Sequence, residues 1–347
     1  MKYIGIDVSK ASFIVAYSSE KSSKTSSFDN TPAGIEKFMK TISPSEHHCV
    51  LEATGNYSML IVYLLSKAGY VVSMENPLKI KNFARTMLTV VKTDEVDARL
   101  IALYGERMQP EPFKMKSDSL LILKQKRTVL RQLKKQLLVN KNILESFNVL
   151  PIKDPSCKKA LEDTIKYLEK QVKAMTEKLE TYSHEEFRKQ IDLLTSIKGI
   201  GITIATALIV ATGAFSYFDN AKQLTRYLGL SPTYQQSGTS VRYRGHINRN
   251  GDPYLRSNLY VAAFSSIRYN KECKAFYKRM REKGKPGKLA IVAVANKLVR
   301  LAFAVVKKET PYEDDFVSKN QHGSCGGNAM RQGTAQSAPT SIVKLVS

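Results

Sequence analysis

KYIGIDVSKASFIVAY, residues 2–17, alternates apolar and polar side chains and then becomes mostly apolar. This pattern predicts a strand that turns into a second strand. Further short apolar runs at 48–51 and 70–73 are interleaved with stretches of helical period at 33–42 and 59–68. Strand, strand, helix, strand, helix, strand is the order of an α/β layer. We therefore expect an α/β fold in the first third of the chain.

A heptad pattern follows this region. Leucines recur every seven residues from Leu123 to Leu144, with Asn140 as a polar interruption. After Pro151 and Pro155, a second heptad stripe extends over 161–182. Two heptad helices joined by a proline turn predict an antiparallel coiled-coil hairpin. Its role stays open between a structural spacer and a dimerisation arm, because heptads do not specify whether the partner helix belongs to the same chain.

The third region contains LLTSIKGIGITIATALIVATG, residues 193–213, in which two glycines separate two apolar helical stretches. This resembles a helix-hairpin-helix, where glycines let backbone amides at a helix N-terminus approach a phosphate. A tight turn inside a helical core is the alternative. We expect Lys198, Gly199 and Gly201 to contact nucleic acid in a mainly α-helical C-terminal domain.

These patterns predict four segments. They are an α/β domain at 1–115, a coiled-coil hairpin at 116–190, a helical domain at 191–317 and a disordered tail at 318–347. The tail is rich in Gly, Ser, Gln, Asn and Thr, and such a composition buries too little apolar surface to offset the entropy of ordering.

The charge of the chain indicates a polyanionic partner. Lys and Arg total 54 against 31 for Asp and Glu, which gives a formal charge of +23. Such an excess attracts nucleic acid. A membrane is a weaker candidate, since Met1–Lys10 lacks a signal-peptide run and Lys297 and Arg300 interrupt the apolar stretch 289–306. We expect a cytoplasmic protein without a membrane partner. The four cysteines lack disulfide or zinc spacing.

Acidic residues stand at chemically suggestive places in the first third. Asp7 ends YIGID and Glu52 follows an apolar run, so both lie at the ends of strands that are expected to be neighbours. Asp94 and Asp97, in KTDEVDARLIA, share a face of a predicted helix. Carboxylates suit magnesium, and two ions about 4 Å apart would stabilise a phosphoryl transfer. Singly, each has a plainer interpretation, such as Asp94 as a helix N-cap.

Several motifs in this order resemble the IS110 family of insertion-sequence transposases, the DEDD transposases. They are YIGIDVSK, LEATGNY, NPLKIKNFA, KTDEVDARLIA, IKGIG and LGLSPTYQQSGTSVRYRGHINRNGDPYLRSNLY, within about residues 3–310. The resemblance implies an RNase H-like first domain similar to Holliday-junction resolvases of the RuvC type. It also implies that Asp7, Glu52, Asp94 and Asp97 take the DEDD metal positions, with magnesium as cofactor.

By the same resemblance, the nucleophilic serine of the family maps to Ser237 in QSGTS. A hydroxyl that attacks a phosphodiester would form a phosphoserine link and conserve bond energy for rejoining. The nearby basic side chains Arg242, Arg244 and Arg249 would stabilise phosphate charge. Ser240 is the local rival, and a plain turn is the alternative interpretation of the Ser-Gly dipeptide.

The resemblance also implies a guide RNA, encoded by the mobile element, that pairs with donor and target DNA. Basic residues beside the first heptad stripe are candidate nucleic-acid contacts, although a solvated face is the commoner explanation. The candidates are Lys124, Arg127, Arg131 and Lys135. Tyr243 and Tyr254 are candidate stacking residues.

The predicted function is therefore a bacterial DNA transposase or recombinase. It would act as a homo-oligomer, a dimer or tetramer, whose active site combines the acids of one subunit with Ser237 of another. One alternative is a metal-dependent hydrolytic nuclease or junction resolvase, which needs only the acids. The second is a nucleic-acid-binding protein without enzymatic activity.

Overall fold

The computed structural model describes residues 1–20, 23–88, 93–232, 236–237, 241–242, 247 and 251–314. The chain divides into two compact units, Met1–Asp118 and Ser119–Ser347. The four predicted segments and their boundaries stay predictions, and the predicted tail lies outside the described residues.

The first unit is built on a mixed five-stranded sheet, as the predicted α/β layer requires. Its strands are β1 (Lys2–Val8), β2 (Ser12–Ala16), β3 (Thr25–Asp29), β4 (His47–Glu52) and β5 (Val71–Glu75). The spatial order is β3-β2-β1-β4-β5. Strands β1, β4 and β5 are mutually parallel, whereas β2 and β3 are antiparallel to their neighbours.

Strand β3 was not predicted from the sequence. Its sequence TSSFD has one apolar side chain, and all five of its residues are half-buried or exposed. As an edge strand it pairs with β2 alone, where Phe28 stacks on Phe13 with ring centroids 5.5 Å apart. An edge strand does not need an apolar stripe of its own, so the period of its sequence carries little information.

Helices cover both faces of this sheet. They are α1 (Pro32–Met39), α2 (Tyr57–Lys67), α3 (Pro77–Thr86) and α4 (Asp94–Met108). Ile4, Ile6 and Leu51 join the core that contains Ile35 of α1 and Ile61 of α2. Val50, whose side chain points to the opposite face, joins a second core with Ile80 of α3 and Ile101 of α4.

Helix α4 approaches β1 so closely that no side chain fits between them. A Cβ at Gly5 would overlap the Ala98 carbonyl oxygen and the Ala102 amide nitrogen of α4. We expect Gly5→Ala to lower the free energy of unfolding by about 3 kcal/mol, because backbone atoms must shift. Gly105→Ala, whose new Cβ would meet the movable Tyr3 and Val50 side chains, should cost less. Chemical denaturation measures both, and equal losses would contradict this account.

The second unit is mainly helical. Its helices are α5 (Asp118–Asn148), α6 (Pro155–Thr195), α7 (Ile202–Thr212), α8 (Ala221–Tyr227), α9 (Pro253–Tyr269), α10 (Lys271–Glu282) and α11 (Gly287–Lys308). Two short strands, β6 (Gln236–Ser237) and β7 (Val241–Arg242), pair antiparallel.

Helices α5 and α6 run antiparallel to each other. The Ser119 hydroxyl at the start of α5 donates to Glu186 near the end of α6, at 2.6 Å. Further along α5, Lys141 pairs with Glu169 at 2.7 Å. The coiled-coil interpretation of this hairpin stays a prediction.

Helix α11 is the one helix of the described residues that is long and apolar enough to cross a membrane. Half of its most apolar window is buried. Val294, Leu298 and Ala302 pack in the same core as Leu259 of α9. This is the packing of a core helix, as the interruption by Lys297 suggested.

Candidate functional site

Asp7 and Glu52 lie side by side at the carboxyl edge of the sheet. In the parallel pair of β1 and β4, Ile6 is the register partner of Leu51, so the next residues along each strand are neighbours. Asp7 is two residues after Gly5, which abuts Ala98 of α4. Glu52 is two residues after Val50, which lies next to Gly105 of α4. Side chains two apart share a face, so both carboxylates belong to the face that α4 covers.

Asp94 and Asp97 reach the same edge from α4. The Ala98 turn of α4 lies against Gly5, whereas Gly105, further along α4, lies against Tyr3. The helix therefore runs opposite to β1, and its N-terminus lies at the edge where β1 ends, one residue after Asp7. Asp94 is not the N-cap, because Thr93 caps α4 by accepting the Val96 amide at 3.3 Å.

The donor set at this edge fits a hard divalent cation, since carboxylate oxygens are the preferred ligands of magnesium. In the part of the chain that the structure describes, no group of three or more acidic, histidine or cysteine side chains is positioned to hold a metal ion. The four carboxylates thus share one edge of the fold, while their side chains are not gathered into a coordination sphere.

Glu75 is a further acid of this edge that the sequence analysis missed. It ends β5 and is the register partner of Glu52 in the parallel pair of β4 and β5. Glu75 is buried, and its carboxylate pairs with Lys79 at 2.8 Å. A signal was present in the sequence, because each of the three apolar runs that form the parallel strands ends on or next to an acid.

In the second unit, Ser237 lies on the hairpin of β6 and β7. Its backbone is the register partner of Val241, next to Arg242. For Ser237 and Arg242 only the backbone is described, and Ser240, Tyr243, Arg244 and Arg249 lie outside the described residues.

The base of this hairpin is anchored beside the start of α9. Pro232 and Ile247 form an isolated antiparallel bridge that brings the two ends of the segment together. Ile247 lines a pocket with Leu230, Pro253 and Tyr260. Since Pro253 is the first residue of α9, the serine-bearing segment emerges at the first turn of that helix.

Two of the predicted nucleic-acid contacts meet the same turn of α9. The Arg131 guanidinium lies 5.4 Å from the ring centroid of Tyr254. Arg127 lies near Tyr254 and Asp252, and burial lowers its pKa from the usual value for arginine. Lys124 and Lys135 are also on α5, and both are exposed. Arg127 and Arg131 are thus brought near the base of the serine hairpin, which the sequence alone did not indicate.

The two glycines of the IKGIG turn differ in their surroundings. Gly199 has a positive φ of 107°, and a Cβ there would overlap the Ser266 hydroxyl of α9. Gly201 is the N-cap of α7, and a Cβ there would meet no atom within 4 Å. Lys198 forms an ion pair with Asp314. Gly199 therefore serves close helix packing, and Gly201 is the glycine with open space beside it.

Comparison with known proteins identifies the family. Residues 191–278 match the family described as "Transposase IS116/IS110/IS902 family", and residues 4–150 match the DEDD transposase family of IS110, described as "Transposase". The chain belongs to the IS110 family of transposases. The DEDD domain implies an RNase H-like fold for the first unit, in agreement with its mixed sheet.

Two relatives of this IS110-family transposase span most of its length. Proteins named "Pilin gene-inverting protein" from Moraxella bovis and Moraxella lacunata are each 29% identical over 331 residues, which cover 90% of this chain and 97% of the relative. An IS110 protein of 43.6 kDa from Streptomyces coelicolor is 32% identical over 121 residues, 35% of this chain and 30% of the relative. The chain is thus a DNA transposase or recombinase, and the non-enzymatic alternative is wrong.

The IKGIG turn yields a test of phosphate contact in the transposase. We expect Gly199→Ala to destabilise the second unit, because the left-handed backbone and the Ser266 contact both oppose a Cβ. Gly201→Ala should leave the free energy of unfolding nearly unchanged. If a phosphate approaches the α7 amides, Gly201→Ala should nevertheless weaken DNA binding at constant salt. Unchanged binding would assign this turn to packing alone.

A basic surface on α10 and the turn after it was also missed by the sequence analysis. Its exposed basic residues are Lys271, Lys274, Lys278, Arg279, Arg281, Lys283, Lys285 and Lys288. Acidic residues of this stretch are in ion pairs, Glu272 with Lys297 and Glu282 with Lys278. The density of lysine and arginine was the available signal, and a surface of this charge suits a phosphate backbone.

Proposed function

We propose that this transposase cuts and rejoins DNA through a phosphoserine intermediate at Ser237, with a magnesium site formed by Asp7, Glu52, Asp94 and Asp97. The observation that carries the proposal is the placement of the four acids at one edge of the sheet. Two come from the ends of neighbouring parallel strands and two from the first turn of the helix that packs on them.

The chain's own residues hold this edge rigidly. Strand pairing positions the Asp7 and Glu52 backbones, and the Gly5 contact keeps α4 against β1. When bound, magnesium would neutralise charge on the scissile phosphate and stabilise the attacking and leaving oxygens. Asp94 and Asp97 lie within the first turn of α4, which Thr93 caps, at the same edge as the strand ends.

The serine step conserves the phosphodiester bond energy. The Ser237 hydroxyl oxygen forms a bond to phosphorus while the bond from phosphorus to a deoxyribose oxygen breaks. The serine proton is transferred to the departing deoxyribose oxygen, which leaves as a hydroxyl. Attack by a deoxyribose hydroxyl of another strand reverses these events and regenerates the serine. Relatives named for gene inversion support rejoining over hydrolysis, because an inverted segment must be cut and resealed.

Cationic groups near the hairpin would orient the DNA. Arg131 and Arg127 lie at the first turn of α9, beside which the serine segment emerges, and Arg242 is on the hairpin itself. The net charge of +23 suits a large nucleic-acid partner, and a guide RNA together with donor and target DNA would provide one. The proposal includes a homo-oligomer in the cytoplasm, in which acids and serine come from different subunits.

Incubation with element-end DNA, target DNA and flank RNA tests the proposal. A denaturing gel should show a protein–DNA adduct with magnesium, none with EDTA, and its return when magnesium is added back. Omitting the RNA should reduce adduct formation at the matched target only. Magnesium-dependent cleavage without any adduct would instead assign the chain to the hydrolytic nucleases.

A further inference from the structure

The pair of Glu75 and Lys79 lies beside the proposed metal edge and has no role in the function proposed above. Glu75 is in register with Glu52, so its side chain is on the same face of the sheet as the acids. The Glu75 side chain is 11% exposed, whereas that of Lys79 is 61% exposed. A buried carboxylate thus holds an exposed ammonium at the edge.

The position of Lys79 is set by packing as well as by this ion pair. Lys79 is in the first turn of α3, which Asn76 caps by accepting the Leu78 amide at 2.8 Å. The next residue, Ile80, is buried in the core that contains Val50 and Tyr104. Helix α3 is therefore fixed on the acid face of the sheet, and the ion pair with Glu75 holds the exposed Lys79 side chain at the edge.

The charge state of Lys79 suits contact with an anion. The hydrogen bond to Glu75 raises the pKa of Lys79 above its usual value. An ammonium has three donors, so one bond to Glu75 leaves two available to an oxygen ligand. A buried carboxylate is costly unless it is paired, and Lys79 supplies that partner.

A second Glu–Lys pair of the same spacing in this unit is different in kind. Lys40 and Glu36 of α1 lie 3.5 Å apart, with side chains that are 73% and 64% exposed. Helix α1 packs on the opposite face of the sheet, away from the acids. Pairs of this exposed kind contribute little to stability. Lys40 is therefore a matched control for the loss of one lysine from this unit.

We propose that Lys79 binds a non-bridging oxygen of the DNA phosphate at the acid edge, and that Glu75 is the positioning residue that holds Lys79 beside Glu52. This inference rests on the proposed function, because the phosphate at the edge is the one that the acids and their metal would engage. Lys79 supplies positive charge on the β5 side of the edge, whereas the four acids supply only negative charge.

Binding without cleavage is measured first, in EDTA and in an Asp7→Asn background that lowers the negative charge of the edge. Adding Lys79→Met should reduce the slope of log affinity against log salt by about one, as expected for one lost phosphate contact. Adding Lys40→Met should leave the slope unchanged. This readout does not depend on a bound metal.

Cleavage is measured second, with the otherwise wild-type protein and magnesium. Lys79→Met should slow strand cleavage about 10- to 100-fold, as expected for the loss of a charge that stabilises the phosphate. Lys79→Arg should retain most of the activity. Glu75→Gln removes one negative charge, so general attraction alone predicts faster cleavage, whereas loss of positioning predicts about 10-fold slower cleavage without weaker DNA binding.

The outcomes separate this inference from the proposed function. Equal behaviour of Lys79→Met and Lys40→Met in both assays would overturn it. A second result would also overturn it. Lys79→Met would lose activity together with free energy of unfolding, and Lys79→Arg would not restore the activity, because the pair would then be structural. Full activity of the Asp7→Asn variant alone would overturn the metal site itself, whatever Lys79 does.

Discussion

A transposase with alanine at position 237 is expected to form no covalent DNA adduct. Ser237→Ala removes the oxygen that would bond to phosphorus, so neither cleavage by serine nor rejoining can proceed. By comparison with other nucleophile deletions, strand exchange should fall by at least about 1,000-fold. A denaturing gel with labelled element-end DNA measures the adduct, and sequencing of joined products measures strand exchange. DNA binding should be retained, because a hydroxyl contributes little to phosphate affinity.

Ser240→Ala is the matched control for this variant. Both serines are in QSGTS and both substitutions remove one hydroxyl. We expect Ser240→Ala to form the adduct at a rate close to that of the wild type. An adduct that persists in Ser237→Ala and disappears in Ser240→Ala would move the nucleophile to Ser240. Cleavage unaffected by either substitution would support hydrolysis at the acidic edge.

The second large effect is expected from Asp7→Asn. Asparagine has nearly the same shape as aspartate, so the pairing of β1 with β2 and β4 should persist. The lost charge removes one anionic ligand beside Glu52, and adduct formation with magnesium should fall about 100- to 1,000-fold. Because magnesium affinity also falls, part of the activity should return at high magnesium concentration. Adduct yield across a magnesium titration measures both effects.

Glu46→Gln provides the control for Asp7→Asn. Glu46 is exposed and immediately precedes β4, at the end of the strand opposite to Glu52. The Glu46→Gln variant changes the charge of the first unit by the same amount as Asp7→Asn, so its activity should match that of the wild type. Equal losses in both variants would attribute the effect to net charge, and an active Asp7→Asn variant would remove Asp7 from the proposed site.

The predicted elements of the first unit follow from local periodicity. Apolar alternation over residues 2–17 led to β1 and β2, and the apolar run before Glu52 led to β4. Periodicity did not indicate β3, because an edge strand with one paired side and exposed side chains needs no apolar stripe. Glu75 also ends an apolar run, but only the parallel register of β4 and β5 places it next to Glu52.

In the second unit, heptad spacing led to two long helices, α5 and α6. The same spacing could not indicate that Arg131 lies over Tyr254, since these residues are far apart in the chain and meet only through packing on α9. The glycines of IKGIG also look equivalent in the sequence. Their difference depends on Ser266 of α9, which a local motif does not include.

The residue types and their local spacing were enough to indicate carboxylates at strand ends and, through the large excess of positive charge, a nucleic-acid partner, whereas the serine nucleophile was inferred from the family resemblance. They were enough because strand and helix periods are properties of neighbouring residues. The parallel register of β1, β4 and β5 and the direction of α4 are set by contacts between distant segments, such as Gly5 with Ala98. Only those contacts place Asp7, Glu52, Asp94 and Asp97 at one edge and add the pair of Glu75 and Lys79 beside them.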